Sequence, residues 1–520
     1  MTHTPTAILA ALHLLAFSPL ALAQTGFVSS ETPSPEWPEE IQYADVDGDG
    51  LTDIIIPRYS PGAGRQLHIH QQLSDRRFLM QPSRVVDIRP EIVAVAFADL
   101  RPDPGLELLL YTGSAAFSLS TAIPSYGGNI RRLFDWSFIA TVPDRRTIYF
   151  LPTPADLTGN GHPDLLVPGA DGYALFEGAA DEQFTRRHQF STINQALDPS
   201  DLPAPAGRFS TEVSFNERDG LVIKANPRSA SVFENFLSDV GDVQDNTLLD
   251  TTRWMPPALL VDMTAVGAQD IVYLNIGNDL RGQLNIWQRG TQGETPGEFS
   301  PRPTWQGPVD MEGDFHLLDI NGDGLSDVMR MVERSDNWDV YFYVNQGGHF
   351  NLDRPDQVMR FSGYNLRIET TDILRNGKPQ LSVTYYTIPV VNAIRNTSII
   401  RTQLLYGSSN TSGDQLFNAR PDFRLDESYS ASAVLGFTIP AYLQADINGN
   451  GRADALYLTP EGTLAAKTIS ETLQFSAQPF WTYVPQRTVI GFDVLDMNSD
   501  GKPDLVLHHS NTTTVLVSTP

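Results

Sequence analysis

A nine-residue acidic loop recurs along the chain and constrains the fold more than any other feature of the sequence. Its first copy, Asp45 to Asp53, reads Asp-Val-Asp-Gly-Asp-Gly-Leu-Thr-Asp and is followed by the apolar run Ile54 to Ile56. Four more strong copies begin at Asp156, Asp319, Asp446 and Asp496. All five copies keep Asp at the ninth position, which unrelated Asp-Gly turns would not require. The repeat therefore predicts one structural unit per copy.

Three weaker relatives begin at Asp99, Asp262 and Asp372 and have lost several side-chain oxygens. The eight starts are separated by 54, 57, 106, 57, 53, 74 and 50 residues, a period typical of repeat architectures. Short β-prone runs follow the loops, and 39 Gly and 37 Pro residues break the chain between such runs. Four short antiparallel strands fit one period, which is the size of one propeller blade.

The sequence thus predicts an all-β fold, a single β-propeller of four-stranded blades. Eight blades is the count that we expect, with seven as the alternative, and we expect insertions at about 181–250 and 391–429. The last blade has only three strand-like segments, Val489 to Asp496, Pro503 to His509 and Thr513 to Ser518, while Thr25 to Ser30 lie before the first blade without a role. We expect this N-terminal segment to supply the missing outer strand of the last blade, with Phe27 or Val28 pairing near Val515.

The spacing within the loop indicates a metal site. Oxygen-bearing side chains at positions 1, 3 and 5, a backbone carbonyl at position 7 and a carboxylate at position 9 offer six or seven oxygens, which suits Ca²⁺ better than Mg²⁺. The glycines at positions 4 and 6 permit the positive φ angles that such a tight loop needs. An EF-hand is excluded, because its bidentate Glu at position 12 is replaced by Ile56, Arg330, Tyr457 or Leu507.

We expect about five structural Ca²⁺ ions, one in each strong copy, and no other cofactor. The predicted ligands are Asp45, Asp47, Asp49, Leu51, Asp53, Asp156, Thr158, Asn160, His162, Asp164, Asp319, Asn321, Asp323, Leu325, Asp327, Asp446, Asn448, Asn450, Arg452, Asp454, Asp496, Asn498, Asp500, Lys502 and Asp504.

Composition excludes several kinds of partner and chemistry. The formal net charge of −26 and the pI near 4.6 argue against nucleic acid and anionic membrane surfaces. The absence of cysteine excludes disulfides, thiolate nucleophiles and zinc fingers. No stretch after the N-terminal region has the roughly 18 to 20 continuous apolar residues of a membrane helix, so we expect no membrane insertion.

The N-terminal region has the pattern of a secretory signal peptide. Residues 1–23 contain no Lys, Arg, Asp or Glu, and an apolar stretch from Ala7 to Phe17 leads to Ala21, Leu22 and Ala23, a small-residue cleavage pattern. We therefore expect residues 24–520 to form the mature propeller, a bacterial protein that is secreted, periplasmic or at the cell surface. No catalytic residues are predicted, because the common hydrolase and phosphate-binding motifs are missing from the sequence.

The loops resemble the FG-GAP and VCBS repeats, the calcium-loop propeller repeats of integrin alpha subunits and of many secreted bacterial proteins. The resemblance covers the chain from about Gln24 to Pro520, and the bacterial VCBS-like branch is closer, since Pro168 to Ala170 is the nearest match to the Gly-Ala-Pro element. It implies a β-propeller with calcium between the first two strands of a blade and a role in adhesion or ligand binding.

Two classes of function follow. The favoured one is a secreted, monomeric, non-enzymatic propeller that binds an extracellular protein or glycan. The alternative is a carbohydrate-active enzyme such as a polysaccharide lyase, which resembles this chain in fold and calcium use and would need a basic cleft that holds Tyr, His, Arg or Lys together. Fold alone does not decide between the two classes.

Overall fold

A computed structural model of the chain describes residues 26–35, 41–120, 129–138, 146, 148–169, 172–192, 195–197, 210–216, 220–226, 252–254, 258–276, 282–290, 298–309, 313–388, 398–409, 415–430 and 441–519. The predicted signal peptide, 1–23, lies outside these residues. Within them, no helix is long and apolar enough to cross a lipid bilayer.

The chain forms an eight-bladed β-propeller of four-stranded antiparallel blades. Blade 1 contains β2 (Gln42–Ala44), β3 (Asp53–Ser60), β4 (Gly64–His70) and β5 (Arg84–Ile88). Blade 2 contains β6 (Ile92–Ala98), β7 (Glu107–Thr112), β8 (Ala115–Leu119) and β9 (Arg131–Asp135). Blade 3 contains a bridge from Ala155 to Asp164, then β10 (Leu165–Gly169), β11 (Gly172–Ala179), a 3-10 turn (Ala180–Glu182) and β12 (Gln183–Ser191). Between blades 3 and 4 the described residues contain four further strands, β13 (Gln195–Leu197), β14 (Ser210–Asn216), β15 (Gly220–Asn226) and β16 (Thr252–Trp254).

The second half of the chain continues the same pattern. Blade 4 contains β17 (Leu259–Ala265), β18 (Ala268–Ile276), β19 (Gly282–Trp287) and β20 (Trp305–Val309). Blade 5 contains β21 (Asp314–Leu318), β22 (Asp327–Arg334), β23 (Asn337–Tyr343) and β24 (Gln357–Ser362). Blade 6 contains β25 (Tyr364–Thr371), β26 (Gln380–Thr387), β27 (Ser398–Tyr406) and β28 (Phe423–Ser430). Blade 7 contains a bridge from Tyr442 to Leu456, β29 (Asp454–Leu458), β30 (Leu464–Thr468) and β31 (Trp481–Tyr483). Blade 8 contains β32 (Gly491–Leu495), β33 (Asp504–His508), β34 (Thr512–Ser518) and β1 (Phe27–Pro33).

The hydrophobic core is divided among the junctions between blades. Eight main clusters of buried apolar side chains occur in the described residues, and each cluster joins two consecutive blades. Ile55 of blade 1 packs with Val95 of blade 2, for example. The last cluster closes the ring, because Ile54 of blade 1 packs with Val506 and Val515 of blade 8.

This arrangement explains why the apolar runs after the loops do not alternate with polar residues. Successive side chains of a strand point to opposite faces of its sheet. Ile54 and Ile56 of β3 face blade 8, while Ile55 between them faces blade 2. Both faces of the strand are covered by neighbouring blades, so every position of the run is apolar.

The N-terminal strand closes the ring as the sequence predicts. β1 pairs with β34 along its whole length, from Phe27 opposite Ser518 to Pro33 opposite Thr512, and lies at the edge of the blade 8 sheet. Ser30 is the residue opposite Val515. The predicted partner strand is therefore correct, and the eight-bladed count excludes the seven-bladed alternative.

The predicted insertions differ from the structure. β12 lies inside the range 181–250 but is the last strand of blade 3, and the described remainder contains the pair β13 and β16 and the hairpin of β14 and β15, which continues the sheet of blade 5 beyond β21. The insertion predicted at about 391–429 is wrong, because it contains β27 and most of β28, two strands of blade 6. Most residues of β12 and β28 are polar, so neither strand carries the apolar run that marks the strands after the loops.

Candidate metal sites in the acidic loops

All eight acidic loops, strong and weak, connect the first and second strands of their blades. Since every blade repeats the same strand order around the ring, the eight loops lie on one face of the propeller. We number the loops 1 to 8 by blade and their residues by position, 1 to 9. The loops are 45–53, 99–107, 156–164, 262–270, 319–327, 372–380, 446–454 and 496–504.

The carboxylate at position 1 organises its loop through backbone hydrogen bonds. Asp45 accepts N–H bonds from Gly48 at 2.7 Å and from Gly50 at 2.9 Å. The bond from position 6 to position 1 recurs in loops 3, 4, 5, 6, 7 and 8 at 2.6 to 2.8 Å. Gly50 adopts φ +84°, which favours glycine at this turn. The loop conformation thus has internal support from its own side chains.

The carboxylate at position 9 is buried and ties its loop to the end of the third strand. Asp53, 1% exposed, accepts N–H bonds from Val46 of the loop at 3.1 Å and from Gln72, after β4, at 2.9 Å. Loops 3, 4, 5 and 8 repeat this two-sided arrangement. Burial raises the pKa of Asp53, Asp327 and Asp454 to about 7.

Loop 1 gathers three carboxylates at one point. One oxygen each of Asp45, Asp47 and Asp49 lies within 4.8 Å of the others, and this is the one such group found among the described residues. Oδ1 of Asp47 is buried without a hydrogen-bond partner, while Gln71 Nε2 donates to Oδ2. Burial first, and then the charges of Asp49 and Asp45, raise the pKa of Asp47. A bound cation would give the buried oxygen a partner and offset the repulsion, and an all-oxygen donor set fits Ca²⁺.

The structure places the other two predicted ligands of loop 1 differently. The N–H of Leu51 donates to Oδ1 of Asp49 at 2.9 Å, which fixes the turn at position 7. Asp53 stands outside the group of three, and both of its oxygens accept backbone N–H bonds. A carboxylate oxygen has more than one acceptor site, so these bonds leave room for coordination. The carbonyl of Leu51 and the carboxylate of Asp53 stay predicted ligands.

In loops 5 and 7 the amide at position 3 is bonded within the loop. Asn321 Nδ2 donates to Asp323 at 2.9 Å in loop 5. Asn448 Nδ2 donates to both oxygens of Asp454, at 2.7 and 2.8 Å, in loop 7. These bonds bring neighbouring predicted ligands together. The oxygen of Asn321 also accepts the N–H of Asp323 at 2.8 Å, but an amide oxygen has a second acceptor site that could bind a cation.

Loops 3 and 8 each contain a buried polar atom without a partner at position 3. The two atoms are Oγ1 of Thr158 and Nδ2 of Asn498. Thr158 is 8% exposed, so its hydroxyl lies inside loop 3 rather than in solvent. Asn160 of the same loop donates to the carbonyl of Gly178 at 2.7 Å. The Thr158 hydroxyl is thus available to a cation, whereas the amide nitrogen of Asn498 is a donor and would have to turn its oxygen inward.

The weak loops replace oxygen ligands with other side chains. Arg101, at position 3 of loop 2, is buried and contacts Glu182 of blade 3 at 2.8 Å and Ser118 at 2.8 Å. Position 5 of loop 4 is Val266, which is 68% exposed, and position 3 of loop 6 is Leu374. A guanidinium group and two apolar side chains cannot coordinate a cation.

Backbone hydrogen bonds join neighbouring loops around the ring, a feature that sequence reasoning missed. The N–H at position 8 donates to the carbonyl at position 1 or 2 of the preceding loop. The four described links are Thr52 to Met497 (2.7 Å), Leu106 to Val46 (3.0 Å), Ser326 to Asp262 (2.7 Å) and Ala453 to Ile373 (2.9 Å). Position 8 is Pro in loops 3, 6 and 8, and Pro has no N–H to donate. This occurrence of Pro was the one available signal.

Glu107, at position 9 of loop 2, predicts a pH dependence of stability. Its Oε2 accepts N–H bonds from Leu100 and Arg101, its Oε1 has no partner, and burial raises its pKa from 4.5 to about 7. Between these values the folded state holds a proton that the unfolded state has lost, so the contribution of Glu107 to stability falls as pH rises from about 4.5 to about 7.

We expect Glu107→Gln to remove this pH dependence, because Gln does not titrate. Urea unfolding at pH 5 and at pH 8 should show the variant gaining about 1 to 3 kcal/mol relative to the native sequence at the higher pH. Glu461→Gln, at an exposed turn, is the control and should show no such gain. A constant difference between Glu107→Gln and the native sequence across this range would contradict the prediction.

Comparisons with known proteins add little to these observations. No family model matches the chain, and no curated protein matches it. One similar solved structure is described as the structural basis of specific recognition of non-reducing terminal N-acetylglucosamine by an Agrocybe aegerita lectin. It is 14% identical, covers 78% of this chain and 80% of its own, and superposes with a TM-score of 0.34, which is too low to bear on the ligand of this chain.

Proposed function

We propose that the chain is a calcium-binding β-propeller that acts outside the cytoplasm as a non-enzymatic binding module for a protein or a glycan. The observation that carries the metal part is the carboxylate group of Asp45, Asp47 and Asp49 with its unpartnered buried oxygen. The extracellular part rests on the predicted signal peptide, and the binding role on the resemblance to FG-GAP and VCBS repeats.

The bound cation would have a structural role. Each strong loop lies between two strands of its blade, so a cation there would bind side chains close to both strands. Loops 1 and 8 are also linked to each other through the bond from Thr52 to Met497, so a cation in either loop would stabilise the junction where the ring closes. The chain would thus reach its full stability in the millimolar calcium found outside cells.

Calcium should raise the thermal stability of the protein. For extracellular sites with Kd of about 10⁻⁴ to 10⁻³ M, 10 mM Ca²⁺ adds about 1.4 to 2.7 kcal/mol for each occupied site. Differential scanning calorimetry with Ca²⁺, with Mg²⁺ and with a chelator tests this expectation, at constant ionic strength because screening alone changes the repulsion among acidic residues. Superimposable transitions in Ca²⁺ and chelator would refute structural calcium.

The binding role needs a separate test. A glycan array and a surface-protein pull-down, each in millimolar calcium, should find a ligand that is retained without being altered. An assay for unsaturated products on acidic polysaccharides should stay at background. Formation of such products would instead support a polysaccharide lyase.

A further inference from the structure

Arg76 connects an acidic loop with the strands that close the ring. It lies in the segment between β4 and β5, in a turn held by bonds from Leu73 N–H to the carbonyl of Arg77 and from Arg76 N–H to that of Leu73, at 2.9 and 2.7 Å. Its φ of +68° is rare for a side-chain-bearing residue. The turn directs the guanidinium across the junction from blade 1 to blade 8.

The guanidinium contacts two parts of blade 8. Nη1 of Arg76 lies 3.4 Å from Oδ2 of Asp500, at position 5 of loop 8, and also donates to the carbonyl of Ser518 at the end of β34. The side chains of Arg76 and Asp500 are 25% and 23% exposed, so the pair is only partly screened by water. Oδ1 of Asp500 accepts the N–H of Lys502 at 3.0 Å, which leaves Oδ2 to the guanidinium.

The same segment holds the closing strand. The N–H of Phe78 donates to Oγ of Ser30 in β1 at 3.1 Å, and the Phe78 side chain is buried in the cluster between blades 8 and 1. A single turn of blade 1 therefore contacts β1, β34 and loop 8 together.

Loop 8 is in turn bonded to the last strand. Oδ1 of Asp504 accepts the N–H of Ser518 at 2.6 Å, and Nζ of Lys502 donates to the carbonyl of Thr519 at 3.1 Å. Ser518 is the residue opposite Phe27 in the pairing of β34 with β1. Loop 8 is thus in direct contact with the end of β34, next to the first residue pair that β34 forms with β1.

We propose that the guanidinium of Arg76 is the resident cation of loop 8, holding Asp500 next to the closing strand until a calcium ion replaces it. This inference rests on the proposed calcium binding. Arg76 occupies the oxygen of Asp500 that the Lys502 N–H leaves open, and two positive charges sharing one carboxylate repel each other. Arg76 therefore lowers the calcium affinity of loop 8 and stabilises ring closure in the metal-free protein.

Arg76→Gln tests both the effect on calcium affinity and the effect on ring closure, because Gln keeps a donor for the carbonyl of Ser518 but has no charge. Arg77→Gln is the matched control, since Arg77 lies in the same turn and pairs with Asp75 rather than with loop 8. Hydrogen exchange with mass spectrometry follows the peptides that contain 27–33, 45–53 and 496–504 across a calcium titration. In Arg76→Gln we expect the calcium midpoint for protection of 496–504 to fall about three- to fivefold. In chelator, 27–33 should exchange about three- to fivefold faster.

Arg76→Lys should restore both values, which separates loss of charge from damage to the turn. Equal midpoints and equal exchange in Arg76→Gln and Arg77→Gln, with 45–53 still protected by calcium, would overturn this inference and leave the proposed function intact. If calcium protects neither 45–53 nor 496–504 in the native sequence, the proposed function fails, and the calcium half of this inference fails with it. Faster exchange of 27–33 in chelator would then still support the closing role of Arg76.

Discussion

A chain that begins at Trp37 should be less stable than one that begins at Gln24, by about 5 kcal/mol or more, and should associate at concentrations where the longer chain is monomeric. The missing β1 forms seven residue pairs with β34, and each backbone hydrogen bond between them contributes about 0.5 to 1.5 kcal/mol. Its removal bares the edge of β34, which becomes available to another chain. Urea unfolding and light scattering measure the two effects. Equal stability and a monomer in both chains would contradict the role of β1.

A pair of proline substitutions tests the closing strand without shortening the chain. The even-numbered residues around β1 exchange backbone hydrogen bonds with β34 and its flanks. This follows from the bond of Thr519 N–H to the carbonyl of Gly26 and that of Ser34 N–H to the carbonyl of Asn511. The odd-numbered Pro33 accordingly sits where no N–H is needed. Val28→Pro should therefore destabilise the ring far more than Ser29→Pro, because only the first removes a ladder bond. Equal effects would mean that the pairing does not hold the ring closed.

Asp53→Ala should destabilise the protein by about 2 to 5 kcal/mol even in chelator, because it leaves the buried N–H groups of Val46 and Gln72 without acceptors. Asp49→Ala removes an exposed side chain and should cost about 0.5 kcal/mol or less in chelator. In 10 mM Ca²⁺, Asp49→Ala should lose most of the stabilisation that a calcium ion bound in loop 1 provides.

Urea unfolding of both variants with and without calcium separates a carboxylate that acts on the fold from one that acts through the ion. Asp353→Asn, an exposed carboxylate outside the loops, should match the native sequence in both conditions. If Asp49→Ala in chelator were as unstable as Asp53→Ala, the division of roles within the loop would be wrong.

The sequence predicted the blade count because the acidic loop marks the same hairpin in every blade. Even Asp99, Asp262 and Asp372, whose loops have lost oxygen ligands, start hairpins between first and second strands. The conserved element is therefore the hydrogen-bonded turn, which the side chain at position 1 supports in loops 4 and 6 without a full ligand set.

Other features depend on contacts between distant residues and left little trace in the sequence. The bond from Thr52 to Met497 uses backbone groups, which every residue but Pro can supply, so no side-chain pattern announces it. Most residues of β12 and β28 are polar, so the apolar run that indicates a blade strand is missing from both. Which carboxylates meet in a loop depends on side-chain conformation, and so loop 1 alone among the described residues gathers three.

The division of the core among the blade junctions also sets the order in which the molecule can fold. Each junction from blade 1 to blade 8 joins neighbours in the sequence and can form as its two blades appear. The junction between blades 8 and 1 instead requires contacts such as that of Ser34 with Thr513, 479 residues apart. Among the described contacts, those between blades 8 and 1 span the longest stretches of chain, so their closure costs the most entropy, and non-local contacts form slowly. Refolding should therefore pass through an open arc of stacked blades, whose two ends meet in the final and slowest step.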